Sequence, residues 1–175
     1  MAHSLSMPFI DGDSLHPKAN IEKMSSGQPL NDSDREPWLQ LIRTTAEHRS
    51  VEQQANPEDK ARAGLIVACS SLKKYYRDIL RGTFNPGAVP EQYAPPHPSM
   101  METVFVYIKG EKGMLMERMN NRKGHFMKET MLNSQLATLE SPEGEEKVVV
   151  VPLEAETDEQ VRIAREQLAR MVGDI

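Results

Sequence analysis

Two periodicities divide this chain. Short runs rich in Val, Ile and Phe, bounded by polar or turn residues, occupy 7–11, 65–69, 103–109 and 147–151 and predict strands. The second and fourth are apolar runs without alternation, which predicts strands covered on both faces of a parallel sheet. Helical spacing fills the intervals. Ser33-Asp34-Arg35-Glu36 has capping-box form, Pro37 suits a first turn, and Trp38, Leu41, Ile42 and Ala46 then share a face. Ser70 or Ser71 is placed to cap a helix carrying Leu72, Tyr76, Ile79 and Leu80 inward. Residues 112–122 and 126–140 read as two helices broken at Gly124. Thr157-Asp158-Glu159-Gln160 opens a last helix with Val161, Ala164, Leu168 and Met171 inward. Strands alternating with helices predict an α/β domain with a parallel sheet. Residues 53–60 read as a polar loop. Residues 82–101 hold five of the 12 prolines and read as a surface insertion.

Composition narrows the class. The 175 residues suit one domain, and 38% hydrophobic with 27% charged residues is the balance of a globular protein. A net charge of −5 argues against nucleic acid as a partner. No apolar run approaches the roughly 20 residues needed to span a bilayer, and residues 1–8 lack the form of a secretory signal. Cys69 is the only cysteine, which excludes an intrachain disulfide and points to a reducing, cytoplasmic setting. Its place after Leu65-Ile66-Val67-Ala68 predicts a buried strand-end thiol.

Four clusters carry candidate chemistry. In Phe9-Ile10-Asp11-Gly12-Asp13-Ser14-Leu15-His16-Pro17, a strand runs into two carboxylates one residue apart. Ligands of parallel sheets bind at the carboxyl ends of strands, and this pair suits a hydrated Mg²⁺ and a substrate hydroxyl, with Gly12 relieving crowding between the carboxylates. An Asx-rich turn explains the same residues. The aspartate-nucleophile phosphatases end a strand in Asp-x-Asp-x-Thr, and Leu15 stands where that threonine is needed. His16 has two readings, a substrate contact or the end of a turn before Pro17.

Arg35 lies in a first helical turn, where the helix dipole prefers anions. It either pairs with Asp32 or Asp34 or grips an anionic ligand through its guanidinium fork. Ser70-Ser71-Leu72-Lys73 follows a strand and opens a helix, a setting that favours an oxygen-rich ligand, although the basic residues after it also suit a solvated face. Arg118, with Arg122-Lys123-Gly124-His125-Phe126, has the form of a lid over phosphates or of an ordinary helix–helix turn.

Together these clusters resemble gluconokinase, a member of the shikimate-kinase-like P-loop kinases. The likeness runs from Ala2 onward through Asp11-Gly12-Asp13-x-x-His16-Pro17-x-x-Asn20 and Asn31-Asp32-x-Asp34-Arg35-x-Pro37-Trp38-Leu39. It continues through Cys69-Ser70-x-Leu72-Lys73-x-x-Tyr76-Arg77-Asp78, Arg122-x-Gly124-His125-Phe126 and Ser134-Gln135-x-x-x-Leu139-Glu140. The resemblance implies a three-layer kinase fold and transfer of the ATP γ-phosphoryl group to the 6-hydroxyl of D-gluconate. By the same likeness Asp11 helps to hold Mg²⁺ through water, and Asp13 orients or deprotonates the attacking hydroxyl. His16, Arg35, Ser70, Ser71, Lys73 and Gln135 line the sugar-acid pocket, and Arg118 and Arg122 reach the nucleotide phosphates from a lid over 122–140. A homodimer is compatible with it.

One departure is large. The family's Gly-x-x-x-x-Gly-Lys-[Ser/Thr] is absent, and no Gly-Lys dipeptide occurs in the chain. Residues 2–8 match the tail of the family's first helix and the start of its second strand. The expectation is therefore a fold lacking its first, central strand, with two strand edges left unpaired. The alternative function is a protein that keeps the sugar-acid half-site and binds ligand or partner without phosphoryl transfer.

Overall fold

The computed structural model describes residues 1–56, 64–87, 101–121 and 129–173. The chain divides into two compact units, Ala2–Thr103 and Val104–Ile175, the latter joined by Met1.

The first unit opens with a short helix, α1 (Ala2–Leu5), followed by β1 (Phe9–Asp11), a 3-10 turn (Gly12–Leu15), α2 (Lys18–Ser25), α3 (Asp32–Ala55), β2 (Ile66–Ala68) and α4 (Lys74–Arg81). β1 and β2 pair in parallel, with Phe9 opposite Ile66, Ile10 opposite Val67 and Asp11 opposite Ala68. Both strands therefore end at the same edge. Gly12 and Cys69 leave that edge side by side, and a Cβ built on Gly12 would lie 2.6 Å from the Ala68 carbonyl oxygen. That approach leaves no room for a side chain at position 12.

α3 is the long element of this unit and starts two residues earlier than its sequence pattern predicts. Asn31 is the N-cap: its side chain accepts from the Asp34 amide at 2.9 Å, and Asp34 accepts from the Asn31 amide at 2.8 Å. Replacing such a cap costs about 1 kcal/mol. Ser33 thus lies inside the first turn, and Pro37 inside the helix. The inward stripe is Trp38, Leu39 and Ile42, whereas Leu41 is exposed. Each of these buried side chains contributes roughly 1.5–3 kcal/mol by leaving water. The helix runs through Ala55, so the start of the expected 53–60 loop is helical.

Arg43 on α3 ties the helix to α4 by donating to the Leu80 carbonyl at 3.0 Å while pairing with Glu47 at 2.5 Å. β2 is only partly covered, not enclosed on both faces, and Ala68 is exposed. α4 is capped at Lys73 without a side-chain bond, so neither Ser70 nor Ser71 is its cap. Buried Arg77 braces the preceding loop instead, donating to the carbonyls of Ser71 at 2.8 Å and Leu72 at 3.2 Å.

The second unit contains β3 (Phe105–Lys109), α5 (Lys112–Asn121), α6 (Glu129–Thr138), β4 (Val148–Pro152) and α7 (Thr157–Val172). β3 and β4 are parallel, from Phe105 opposite Val148 to Lys109 opposite Pro152. Val149 and Val151 point into a core with Ala164 and Leu168 of α7. Met171 is exposed and does not join them, and the α7 cap position is Glu156, not Thr157. Among the described residues β1–β2 and β3–β4 are separate two-stranded sheets. The Gly124 break, the tip of the expected lid and most of the 82–101 insertion lie outside the described residues.

Candidate functional site

The carboxyl ends of β1 and β2, with the first turn of α3 and the start of α4, bring together most of the polar residues singled out in the sequence. Asp11 terminates β1 and caps the 3-10 turn, its Oδ1 accepting from the Asp13 amide at 3.1 Å. Ser14 donates to the Asp11 carbonyl at 2.6 Å. Both aspartates are exposed. The turn reading holds, and the turn presents the two carboxylates at the strand end.

His16 follows, its ring inside the unit. The imidazole stacks on Trp38 with centroids 4.2 Å apart and planes 14° from parallel. Its Nε2 lies 4.0 Å from Asp13 Oδ1, and its Nδ1 lies 3.4 Å from the Asn20 side-chain nitrogen. Trp38 Nε1 donates to the Gly12 carbonyl at 2.8 Å, locking the turn against α3. Asn20, buried on α2, donates to the Asp34 carbonyl at 2.8 Å. Burial pushes the His16 pKa below its ordinary value; Asp13 opposes that shift and Arg35 adds to it.

Arg35 is 8% exposed. It does not make the pair with Asp32 or Asp34 that one reading of the sequence allowed. Its Nη1 is 3.5 Å from the Tyr76 hydroxyl, its guanidinium carbon lies 5.8 Å from the Tyr76 ring centre, and no described carboxylate lies within 4.0 Å. The neighbouring carboxylates are engaged elsewhere. Asp34 pairs with Lys23 at 2.5 Å, and Asp32 accepts from Lys73 Nζ at 2.8 Å and from the Tyr76 hydroxyl. Hydrogen bonds from Lys73 and then Tyr76 hold the Asp32 carboxyl below its usual range. Tyr75 donates to Glu36 at 3.4 Å.

Lys73 is thus part of the cluster, beside the rings of Tyr75 and Tyr76. Ser70 and Ser71 are half-buried in the same loop. Cys69, behind Gly12, is a free thiol whose pKa burial raises to about 12, which suits packing and not nucleophilic attack.

Four residues here stand in the sequence motifs but were given no site role. Asp32 and Tyr76 form the centre of the polar network, and Trp38 and Asn20 fix the turn. Tyr76 was legible as an inward helix position and as part of the family motif, and neither assigns its hydroxyl a partner.

The other expected residues belong to the second unit or lie outside the described residues. Arg118, on α5 in the second unit, is exposed and donates to the Ala155 carbonyl at 3.3 Å, and Gln135 is half-buried on α6. Arg122 lies outside the described residues. The second unit also has a cleft of about 230 Å³ at the carboxyl ends of its strands, lined by Lys109, Gly110, Glu111, Val150, Pro152 and Glu154. Among the described residues no group of three or more His, Cys, Asp or Glu side chains is placed to hold a metal, and no helix is long and apolar enough to cross a membrane.

Comparison with known proteins decides the family. The chain is 42% identical over 151 residues to the thermoresistant gluconokinase of Escherichia coli, a span of 86% of this chain and 72% of that one. It is 41% identical over 158 residues to a gluconokinase of Gluconobacter oxydans, 90% of this chain and 75% of the relative. The chain belongs to the gluconokinase family. Among solved structures, a gluconokinase from Sinorhizobium meliloti superposes with a TM-score of 0.70 at 41% identity, covering 97% of this chain and 81% of that one. An unliganded sugar kinase from Janibacter superposes with a TM-score of 0.75 at 30% identity, covering 98% and 84%. The α/β kinase fold expected from the sequence is therefore the fold of this chain. No protein-family model matches it.

Proposed function

We propose that this gluconokinase-family chain serves transfer of the γ-phosphoryl group of ATP to the 6-hydroxyl of D-gluconate, and that the cluster at the ends of β1 and β2 is the sugar-acid side of that reaction. The observation that carries this reading is Arg35, a guanidinium 8% exposed with no described carboxylate within 4.0 Å. A buried charge without a counter-ion is costly, and an anionic substrate supplies the missing partner. Gluconate is a monoanion rich in hydroxyls. Its carboxylate suits Arg35, and its hydroxyls suit His16, Lys73, Ser70 and Ser71.

Asp13, exposed at the strand end, is the group to accept or orient the proton of the attacking hydroxyl. Asp11 and Asp13 fit a Mg²⁺ ion that keeps most of its water, because such ions are commonly held by one or two carboxylates together with phosphate oxygens. When bound, Mg²⁺ neutralises charge on the phosphates. The nucleotide is assigned to Arg118 and Arg122, with Gln135 on the substrate side. A cytoplasmic setting agrees with the single free cysteine.

The 175 residues contain no Gly-x-x-x-x-Gly-Lys-[Ser/Thr]. That absence favours a second reading, sugar-acid binding without turnover by these residues alone. A coupled assay separates the two. The chain is measured by itself and with a strand–P-loop–helix segment from a related kinase joined ahead of Ala2. Gluconate-dependent ADP formation is expected in the joined protein only. Silence in a folded joined protein contradicts the kinase reading, and full turnover by the 175 residues contradicts the need for that motif.

A further inference from the structure

Asn20 is buried on α2 and touches two groups of the site. Its side-chain nitrogen donates to the Asp34 carbonyl oxygen at 2.8 Å. A carbonyl oxygen only accepts, so this contact fixes which end of the Asn20 amide is the NH₂ group. The same nitrogen lies 3.4 Å from His16 Nδ1. An NH₂ group carries two hydrogens, one for each of these partners, and does not accept. A hydrogen on Nδ1 would meet another hydrogen across that contact. Nδ1 is therefore the accepting nitrogen, and in the neutral ring the hydrogen sits on Nε2. The stack on Trp38, with planes 14° from parallel, holds the ring in that orientation.

Nε2 is the nitrogen that faces the strand end. It lies 4.0 Å from Oδ1 of Asp13, whose side chain is 72% exposed. That gap is too long for a direct hydrogen bond and leaves room for one oxygen atom within about 2.8 Å of each group. We propose that Asn20 is a positioning residue of this site: it holds the neutral His16 ring with its hydrogen on Nε2, so that His16 donates to a sugar-acid hydroxyl whose own O–H is left to face Asp13. The opposite tautomer would set two acceptors, Nε2 and the Asp13 carboxylate, against a single hydroxyl hydrogen, and one of them would go unpaired. The hydroxyl contact rests on reading this cluster as the sugar-acid side of the reaction. The tautomer rests on the Asn20 contacts alone.

The test is the long-range ¹H–¹⁵N spectrum of the 175-residue chain labelled in its histidine rings. It is recorded at about pH 8, above the ordinary histidine pKa of about 6.5, and comparison with His16→Gln assigns the His16 signals. The two ring nitrogens resonate far apart when one keeps the hydrogen, and draw together when the tautomers exchange. A single Nε2–H pattern is expected in the parent chain. Asn20→Asp replaces the donor by an acceptor of the same shape, so Nδ1 should gain a hydrogen. Asn20→Ala has no donor and should draw the two signals together toward their positions in free imidazole. An Nδ1–H pattern in the parent, or an unchanged Nε2–H pattern in either variant once circular dichroism shows it folded, overturns the role of Asn20. D-Gluconate is then titrated into the parent, and a saturable shift of the His16 Nε2 signal is expected. An Nε2–H ring that does not respond to D-gluconate overturns the hydroxyl contact and counts against the sugar-acid reading. A response from a ring of the opposite tautomer overturns the role of Asn20 and leaves that reading in place.

Discussion

His16 lies flat on Trp38, ring centres 4.2 Å apart, with its side chain 5% exposed. Burial in that stack lowers the His16 pKa, so the unfolded chain binds a proton that the folded chain resists. The sign follows directly. Stability is full above the unfolded value of about 6.5 and declines as pH falls from there toward the lower folded pKa. Denaturant midpoints between pH 7.5 and 5 should drop, and His16→Gln should flatten that part of the profile. An NMR titration that places His16 at or above 6.5 would remove the explanation.

Gly12 gives a packing prediction. A methyl group there meets the Ala68 carbonyl oxygen at 2.6 Å and Cys69 Cβ at 3.0 Å, both on β2 or just beyond it. Overpacking of this kind costs about 1–3 kcal/mol. Gly12→Ala should therefore lower the unfolding midpoint by several degrees and weaken sugar-acid binding, because the turn presenting Asp13 and His16 must move. A variant as stable as the parent would show that the strand ends separate at little cost.

Much of this arrangement was legible in the residues, and the reasons for the misses are specific. The four strands follow from β-branched runs that helices do not favour, and the Asp-Gly-Asp turn follows from its place after one of them. Cap positions were displaced by one to three residues. Asn31 and Ser33 offer the same chemistry, and only the Asp34 carboxylate returning to the Asn31 amide distinguishes them. α2 was not expected at all; Lys18–Ser25 has a weak apolar stripe, and it is held by buried Asn20 reaching the Asp34 carbonyl. The Asp32–Tyr76–Lys73 network joins residues more than 40 positions apart, which no local pattern encodes.

The two strand-end carboxylates should differ in effect. In the protein joined to a P-loop segment, Asp13→Asn removes the group proposed to handle the hydroxyl proton and should cut kcat by about 10²–10⁴-fold. Asp11 also caps the turn through the Asp13 amide, so Asp11→Asn keeps an acceptor there while losing charge. Its activity should depend more steeply on Mg²⁺ concentration, with a smaller loss at saturation. Small and equal effects in a Mg²⁺ titration of the two variants would contradict this division.

Arg35, buried with no described carboxylate beside it, is the proposed anchor of an anionic sugar-acid substrate, and the functional reading stands or falls on it. Calorimetric titration of D-gluconate into the 175-residue chain and its Arg35→Lys variant tests it most directly. Lysine keeps the charge but not the planar fork, and loss of one charge-assisted hydrogen bond is worth about 1.5–3 kcal/mol. Saturable binding to the parent chain is expected, with a dissociation constant raised by about tenfold or more in a variant with an unchanged fold. Equal affinity in the two chains would contradict that role and leave Arg35 as a structural cation seated on Tyr76.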